Sequence, residues 1–140
     1  MSRENVEIVQ RFFDAMNRGD YAAAEMIAHP EIAMQDHPAM PDAGWNHGRE
    51  GAVRWWSKIN EAFANFRFED IEMLPVGRNS VVGTLTVSGE GGQSGVPITM
   101  PVAFVATIEN GMGKRVAVFA TATEASRAAA DLLDATELRE

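Results

Sequence analysis

The sequence predicts a single α+β domain in which three N-terminal helices pack into a curved, mainly antiparallel sheet, a cone-like α+β barrel. Two observations lead to this prediction. Apolar residues recur every three or four positions up to about residue 64, and from Phe66 onward they alternate with polar residues. The chain has 140 residues, of which 46% are hydrophobic, so it can bury one core, and we expect one domain spanning 1–140.

Helix-start and helix-stop residues delimit the three helices. Ser2 can cap the first helix, which ends at Gly19, and Asp20 can cap a second, Tyr21 to Ala28, which stops before Pro30. The third is expected over Arg49–Ala64. Its inward stripe is predicted to contain Ala52, Val53, Trp56, Ile59 and Phe63, with Trp55 at its shoulder.

Four antiparallel strands are expected after the third helix. They are predicted over Phe66–Met73 with a bulge before Ile71, Ser80–Ser88, Ile98–Ile108 and Lys114–Thr123. Residues 89–95 are glycine-rich and predict a flexible hairpin end, and Asn110-Gly111 favours a tight reversal. A last helix is expected from Glu124, with Leu133 on its apolar stripe and fraying from about residue 126.

Charge and composition exclude several kinds of partner. Asp and Glu outnumber Lys and Arg by 20 to 12, so we expect no nucleic-acid partner and no binding to an anionic membrane. The chain has no Cys, its N-terminal residues lack the apolar core of a signal peptide, and no apolar run reaches about 18 residues. We therefore expect a cytoplasmic protein.

Most of the chemically unusual residues lie between Ile32 and Gly51. A short strand around Met34 is followed by a long loop, which contains two of the three His, one Trp and Asp36. A loop of this length with apolar surface to bury is typical of the mouth of a pocket.

Asp36 and His47 are the candidate catalytic residues in this stretch. Asp36 can act as a general base, with His47 as its hydrogen-bonding partner eleven positions later. The alternatives remain a solvated Asp that begins a turn at Asp-His-Pro and a surface His before a helix. His37 and Arg49 are more simply explained as solvated residues.

An apolar cavity is the predicted ligand site, although an aromatic cluster is also typical of a plain core. The spacing of His29, Asp36, His37 and His47 is not that of a metal site, and we expect neither a metal nor a cofactor. The predicted ligand-binding residues are Phe12, Met34, Trp45, Trp55, Trp56, Met100 and Phe104.

The outer face of the sheet predicts a partner subunit. Val82, Val105 and Phe119 would expose apolar surface on that face in a monomer. Burial against a second copy removes such surface, so we expect a homodimer.

Three stretches carry a resemblance to a known family. With IVQRFFDAMNRGDYAAA, PDAGWNHGREG and SGVPITMPVAFVATIENG in this order, the chain resembles the SnoaL-like, ketosteroid-isomerase-like branch of the nuclear transport factor two-like superfamily. The resemblance implies a small-molecule enzyme with proton-transfer chemistry of the isomerase, cyclase or dehydratase type, acting on a small apolar ligand. The alternative that it implies is a non-catalytic binding or accessory protein of the same fold.

The resemblance also separates this chain from the ketosteroid isomerases themselves. Asp36 matches their general base, but Phe12 stands where they have the oxyanion-binding Tyr. Ala103 or Val105 stands where they have a protonated Asp, and residues 96–123 lack the Asp residues of the related epoxide hydrolases. The resemblance therefore implies no oxyanion hole of the steroid-isomerase type.

Overall fold

Four helices and six strands make up the chain in a computed structural model that describes residues 2–40, 42–92 and 94–139, with side chains described up to Leu132 except at Ser2. The helices are α1 Ser2–Arg18, α2 Tyr21–Ile27, α3 Gly48–Ala62 and α4 Ala122–Arg139. The strands are β1 Ala28–Gln35, β2 Trp45–His47, β3 Phe63–Val76, β4 Ser80–Gly91, β5 Pro97–Glu109 and β6 Met112–Phe119.

The six strands form one mixed, open sheet in the order β2-β1-β6-β5-β4-β3. Every neighbouring pair is antiparallel except β1 with β6, which run parallel. The predicted α+β class is confirmed, and the sheet curves without closing into a barrel.

The main core lies between the helices and the inner face of the sheet. Phe13 on α1 contacts Phe68 on β3 and Phe104 on β5, with ring centroids 5.1 and 5.4 Å apart. Because side chains alternate across a strand, Val102, Phe104 and Ala106 point toward this core while Ala103 and Val105 point away from it.

Several local signals in the sequence are confirmed. Asp20 caps α2, since its Oδ1 accepts a hydrogen bond of 3.2 Å from the Ala23 backbone N–H. Asn110 and Gly111 both have positive φ and join β5 to β6 in a tight reversal. The register of β3 shifts between Glu69 and Glu72, at the predicted bulge.

Two local predictions are wrong. The predicted stripe of α3 is correct at Ala52, Trp56 and Ile59, which pack against the core, but Val53 is 56% exposed and the most buried positions are Gly51 and Trp55. The glycines at 89 and 91 belong to β4 and not to a flexible tip. A Cβ on Gly89 would lie 3.0 Å from the Ala64 carbonyl oxygen, so the missing side chain lets β3 approach closely.

Helix α4 covers part of the outer face of the sheet. Ala125 and Ala129 pack against Ala103 and Val105, and all four are almost fully buried. The last helix is thereby confirmed, while the predicted fraying stays a prediction and the Leu133 side chain lies outside the described residues. Across the described ranges, no helix is long and apolar enough to cross a membrane.

Candidate functional site

The carboxylate of Asp36 lies just beyond the end of β1 and is only 3% exposed. Its Oδ1 accepts a hydrogen bond of 3.1 Å from Asn46 Nδ2. Its Oδ2 accepts two more, from Lys58 Nζ at 2.9 Å and from the Gly44 backbone N–H at 3.1 Å. Because burying a carboxylate is costly without partners, these three donors allow Asp36 to remain charged in the interior.

Asn46 connects the members of this network. Its Nδ2 also donates to the Met34 carbonyl oxygen at 3.0 Å, and its Oδ1 accepts from Lys58 Nζ at 3.1 Å. The amide therefore donates on one side and accepts on the other, and this arrangement fixes its orientation. We call Asp36, Asn46 and Lys58 the carboxylate network.

Strand and helix geometry bring the carboxylate network together. Met34 pairs with Asn46 between the antiparallel strands β1 and β2, which directs the Asn46 side chain inward. Lys58 lies two helical turns after Gly51 on the buried side of α3. A Cβ on Gly51 would lie 2.6 Å from the backbone carbonyl carbon of Asn46, so only glycine permits this approach of α3 to β2.

His37 adds a hydrogen-bond donor beside Asp36. Its Nδ1 accepts a hydrogen bond of 3.0 Å from the Ala39 backbone N–H, which assigns the proton of the neutral ring to Nε2. Burial lowers the pKa of His37 from its usual 6.5, and the Pro101 carbonyl opposes part of that effect. Nε2 is buried, and among the described residues it has no partner with hydrogen-bond geometry.

Asp36 and His37 border the same small cavity of about 50 Å³, which we call the carboxylate cavity. Apart from these two side chains its walls are apolar. They are formed by Met40, Trp55, Ile59, Phe63, Phe68, Val87, Met100, Val102 and Val118. The cavity therefore combines a carboxylate, an imidazole N–H and an apolar surface, which is the composition expected of a small-molecule site.

Two further cavities adjoin the carboxylate cavity. The central cavity of about 70 Å³ lies between α1 and the sheet and includes Phe12, Met34 and Phe104 in its entirely apolar lining. The helix cavity of about 80 Å³ lies between α1, α2 and α3 and includes Trp56. Of the predicted ligand-binding residues, Met100 borders the carboxylate cavity and Trp55 borders all three cavities.

The expected pairing of His47 with Asp36 is wrong. His47 follows Asn46 in β2, and consecutive strand residues point to opposite faces, so His47 is exposed on the far side of the sheet. Trp45 lies on that side as well, 37% exposed, with the Arg115 guanidinium 4.6 Å from its ring centroid. The expectation that Trp45 lines the interior pocket is therefore also wrong.

Lys58 and Asn46 are site residues that the sequence did not predict, and His37 was predicted only as a solvated residue. Lys58 could have been found from its spacing, because it lies three positions after Trp55 and seven after Gly51 on one helical face. The role of Asn46 depends on the three-residue strand β2, which is too short to give a periodic signal. The direction of His37 depends on the turn through Ala39.

The positions matched to the steroid-isomerase oxyanion Asp do not face the cavity. Ala103 and Val105 lie under α4 on the outer face, and Phe104 faces the core instead.

Arg49 donates a hydrogen bond to the Ala28 carbonyl oxygen at 3.3 Å. Over the described part of the chain, no group of three or more His, Asp or Glu could hold a metal ion.

The family follows from a match over most of the chain. The model of the SnoaL-like domain matches residues 9–128. This chain belongs to the SnoaL-like family. No curated protein matches this SnoaL-like protein.

Solved structures agree with the fold of the SnoaL-like protein. A candidate polyketide cyclase from Xanthomonas campestris pv. campestris has a TM-score of 0.74 at 17% identity, covering 88% of this chain and 94% of that one. TerC, co-crystallised with polyporic acid, has a TM-score of 0.73 at 17% identity, covering 86% and 94%. An NTF2-like protein from Burkholderia xenovorans LB400 has a TM-score of 0.72 at 22% identity, covering 92% and 98%. At these identities the likeness shows the fold alone.

Proposed function

We propose that this SnoaL-like protein is a small-molecule enzyme that moves a proton on a compact, mostly apolar ligand with a carbonyl oxygen. The observation that carries the proposal is the composition of the carboxylate cavity, where the side chains of Asp36 and His37 border an otherwise apolar lining. The candidate polyketide cyclase and TerC, which was crystallised with an organic acid, support a small organic ligand.

Asp36 is the general base in this proposal. Its Oδ2 already accepts two hydrogen bonds, whereas Oδ1 accepts one, and each carboxylate oxygen has about two lone-pair sites. Oδ1 can therefore accept a proton from the carbon next to a carbonyl group: the C–H bond breaks, an O–H bond forms on Asp36, and the electron pair moves to the carbonyl oxygen. Return of the proton to the same or another carbon completes an exchange or an isomerisation.

His37 supplies the donor that the developing oxyanion needs. A neutral imidazole with its proton on Nε2 can donate to the carbonyl oxygen, and this hydrogen bond strengthens as negative charge develops there. The lowered pKa of His37 keeps the ring neutral near pH 7, so that it donates without becoming a competing acid. Lys58 and Asn46 hold the carboxylate in place and are positioning residues.

Hydrogen–deuterium exchange on a small ketone tests these roles. We expect the wild-type protein to accelerate exchange at the carbons beside the carbonyl of 2-butanone in D₂O, followed by proton NMR. Loss of the base in Asp36→Asn is expected to reduce the catalysed rate by about 100-fold or more, and His37→Asn by about 100-fold. His47→Asn is the matched control and is expected to keep the wild-type rate, because His47 is exposed on the opposite face of the sheet.

A second candidate function is ligand binding without turnover, as in an accessory protein. It is favoured by the three donors around Asp36, which are also what a purely structural ion pair requires. The exchange experiment separates the two functions. Wild-type exchange at the buffer rate, or an Asp36→Asn variant as fast as wild type, would exclude the enzyme and leave the binding protein.

A further inference from the structure

Trp55 is the one side chain shared by the walls of the carboxylate, central and helix cavities among the described residues. It lies at the centre of the buried face of α3, and its ring is tilted against Phe12 with centroids 6.4 Å apart. The indole thus stands where the three cavities would otherwise meet. A molecule that extends from Asp36 and His37 into the middle of the protein meets this ring in the wall between the carboxylate and central cavities.

The volumes decide what fits on either side of the indole. An apolar cavity of roughly 150 Å³ holds one benzene molecule. The cavities here measure about 50, 70 and 80 Å³, so each is too small for a six-membered ring. The carboxylate cavity as it stands accepts only an acyclic molecule of a few heavy atoms.

The central cavity offers additional apolar volume and no polar group that would compete with His37 for the ligand oxygen. The central cavity has no polar atom on its surface, and it shares Phe68, Val102 and Val118 with the carboxylate cavity in addition to Trp55. A ligand whose oxygen is bound by His37 would therefore place its hydrocarbon part toward the central cavity. The position of the indole then determines how long that part can be.

We propose that Trp55 is the specificity-determining residue of the site, limiting the ligand that reaches Asp36 and His37 to a small acyclic carbonyl compound. Replacing the indole with a smaller side chain joins the carboxylate and central cavities and admits a ketone with one six-membered ring. The inference rests on the proposed function in taking the carboxylate cavity as the ligand site. It concerns binding, however, and binding is measured without any reaction.

The test compares the binding of cyclohexanone, a ketone with one six-membered ring, by wild type and by variants at two neighbouring tryptophans. Dissociation constants come from NMR titrations in which the ring signals of His37 report whether the ketone reaches the carboxylate cavity. We expect Trp55→Leu to bind at least tenfold more tightly than wild type, with a shift at His37. Trp56→Leu is the matched control, because Trp56 borders only the helix cavity, and its affinity is expected to stay within twofold of wild type.

Trp55→Phe keeps an aromatic ring and replaces Trp55→Leu in the test if the leucine variant fails to fold. Its affinity for the ketone is expected to be about threefold higher than that of wild type. Wild type binding cyclohexanone as tightly as the Trp55 variants, or Trp56→Leu gaining as much affinity as Trp55→Leu, would overturn the inference. Failure here is distinguishable from failure of the proposed function. If Trp55→Leu binds the ketone more tightly while wild type does not catalyse exchange of 2-butanone, the role of Trp55 is supported and the proposed enzyme activity is excluded. If wild type catalyses exchange but Trp55→Leu does not bind the ketone more tightly, the activity is supported and the role of Trp55 is excluded.

Discussion

The buried carboxylate of Asp36 depends on the hydrogen-bond donors around it. Three donors surround it, and one of them, the Lys58 ammonium, carries the opposite charge. The Lys58 side chain is 38% exposed, so its charge is partly solvated, whereas the carboxylate is almost completely removed from water. The pair therefore stabilises the fold chiefly by satisfying Asp36.

The first prediction concerns the stability of Asp36→Asn. The amide places N–H donors among the donors of Asn46, Gly44 and Lys58, and it leaves the ammonium without its carboxylate. We expect the free energy of unfolding to fall by about 2 to 3 kcal/mol, measured by urea denaturation. Asp42→Asn is the control, because Asp42 lies exposed in the same loop at φ +54°, which Asn also adopts. Equal stability of Asp36→Asn and wild type would contradict the ion-pair account.

The second prediction concerns pH and His37. Burial lowers its pKa, so below pH 6.5 the unfolded chain binds the proton more readily than the folded protein does. This contribution to stability is complete above pH 6.5 and is lost as the pH falls through the folded pKa. We expect the stability advantage of wild type over His37→Asn to shrink between pH 7.5 and pH 5 in urea denaturation. Asn retains an acceptor for the Ala39 N–H, and an advantage that is equal at the two pH values would contradict the burial of His37.

At this scale the sequence indicated some site residues and not others. Asp36 and Trp55 stand out because a carboxylate after a short strand and a Trp on an amphipathic helix are recognisable signals. The prediction for His47 was wrong because the direction of a strand side chain follows from its position in the strand. The three-residue strand β2 could not be recognised in the sequence, so the direction of His47 could not be assigned. Lys58 resembles any solvated lysine until the rotation of α3 is fixed by Gly51.

The contact of α3 with β2 is the element-level feature that positions the site. Gly51 brings the helix against the backbone of Asn46, and that approach places Trp55 and Lys58 at the correct depth. Helix propensity would place an alanine at this position, because glycine is the weaker helix former. The close packing of α3 against β2 therefore explains the glycine at this position.

The third prediction follows from this contact. On helix propensity alone, Gly51→Ala should stabilise the protein by up to about 1 kcal/mol. Since the added Cβ would lie 2.6 Å from the Asn46 backbone, we expect a loss of about 1 to 3 kcal/mol instead, measured by thermal or urea unfolding. Ser57→Ala, at an exposed position of the same helix, should give the small gain that propensity predicts. A stabilised Gly51→Ala variant would show that α3 has room to move away from β2.

Most elements could be predicted because their signals are local. The cap at Asp20, the reversal at Asn110-Gly111 and the bulge near Asp70 each depend on a few adjacent residues. The inward face of α3 could not be predicted in the same way. It depends on which side meets β2, and a stripe that includes Val53 is more apolar than the one that runs through Gly51, Trp55 and Lys58.

At the scale of the whole molecule, α4 changes the argument for a partner subunit. It covers Val105, which the sequence analysis expected to be exposed in a monomer. An open depression remains beside α4 on the outer face, and its lining includes Trp45, Phe119, Arg115, Asp131 and Leu132. We propose that the expected homodimer forms through this uncovered part of the outer face.

The fourth prediction tests the dimer by sedimentation velocity at micromolar concentration. We expect wild type to sediment with about twice the 15.3 kDa mass of one chain. Trp45→Glu places a charge in the proposed interface and should yield monomers, because an unpaired charge is costly to bury there. Val53→Glu alters an exposed apolar residue on α3 and should remain dimeric. A monomeric wild type would exclude the proposal.

The parallel pairing of β1 with β6 has a consequence for how the protein folds. Ala33 pairs with Arg115, about 80 residues later in the chain, whereas β3 to β6 are joined by short connections and can pair as soon as they are made. At a synthesis rate of about 5 to 20 residues per second, β1 waits about 4 to 16 s on the ribosome for β6, its parallel partner. The backbone amides of the β1–β6 pairing are therefore expected to acquire protection from exchange after those of the β3 to β6 sheet. Until then, the apolar residues of α1 and β1 are exposed to chaperones and proteases.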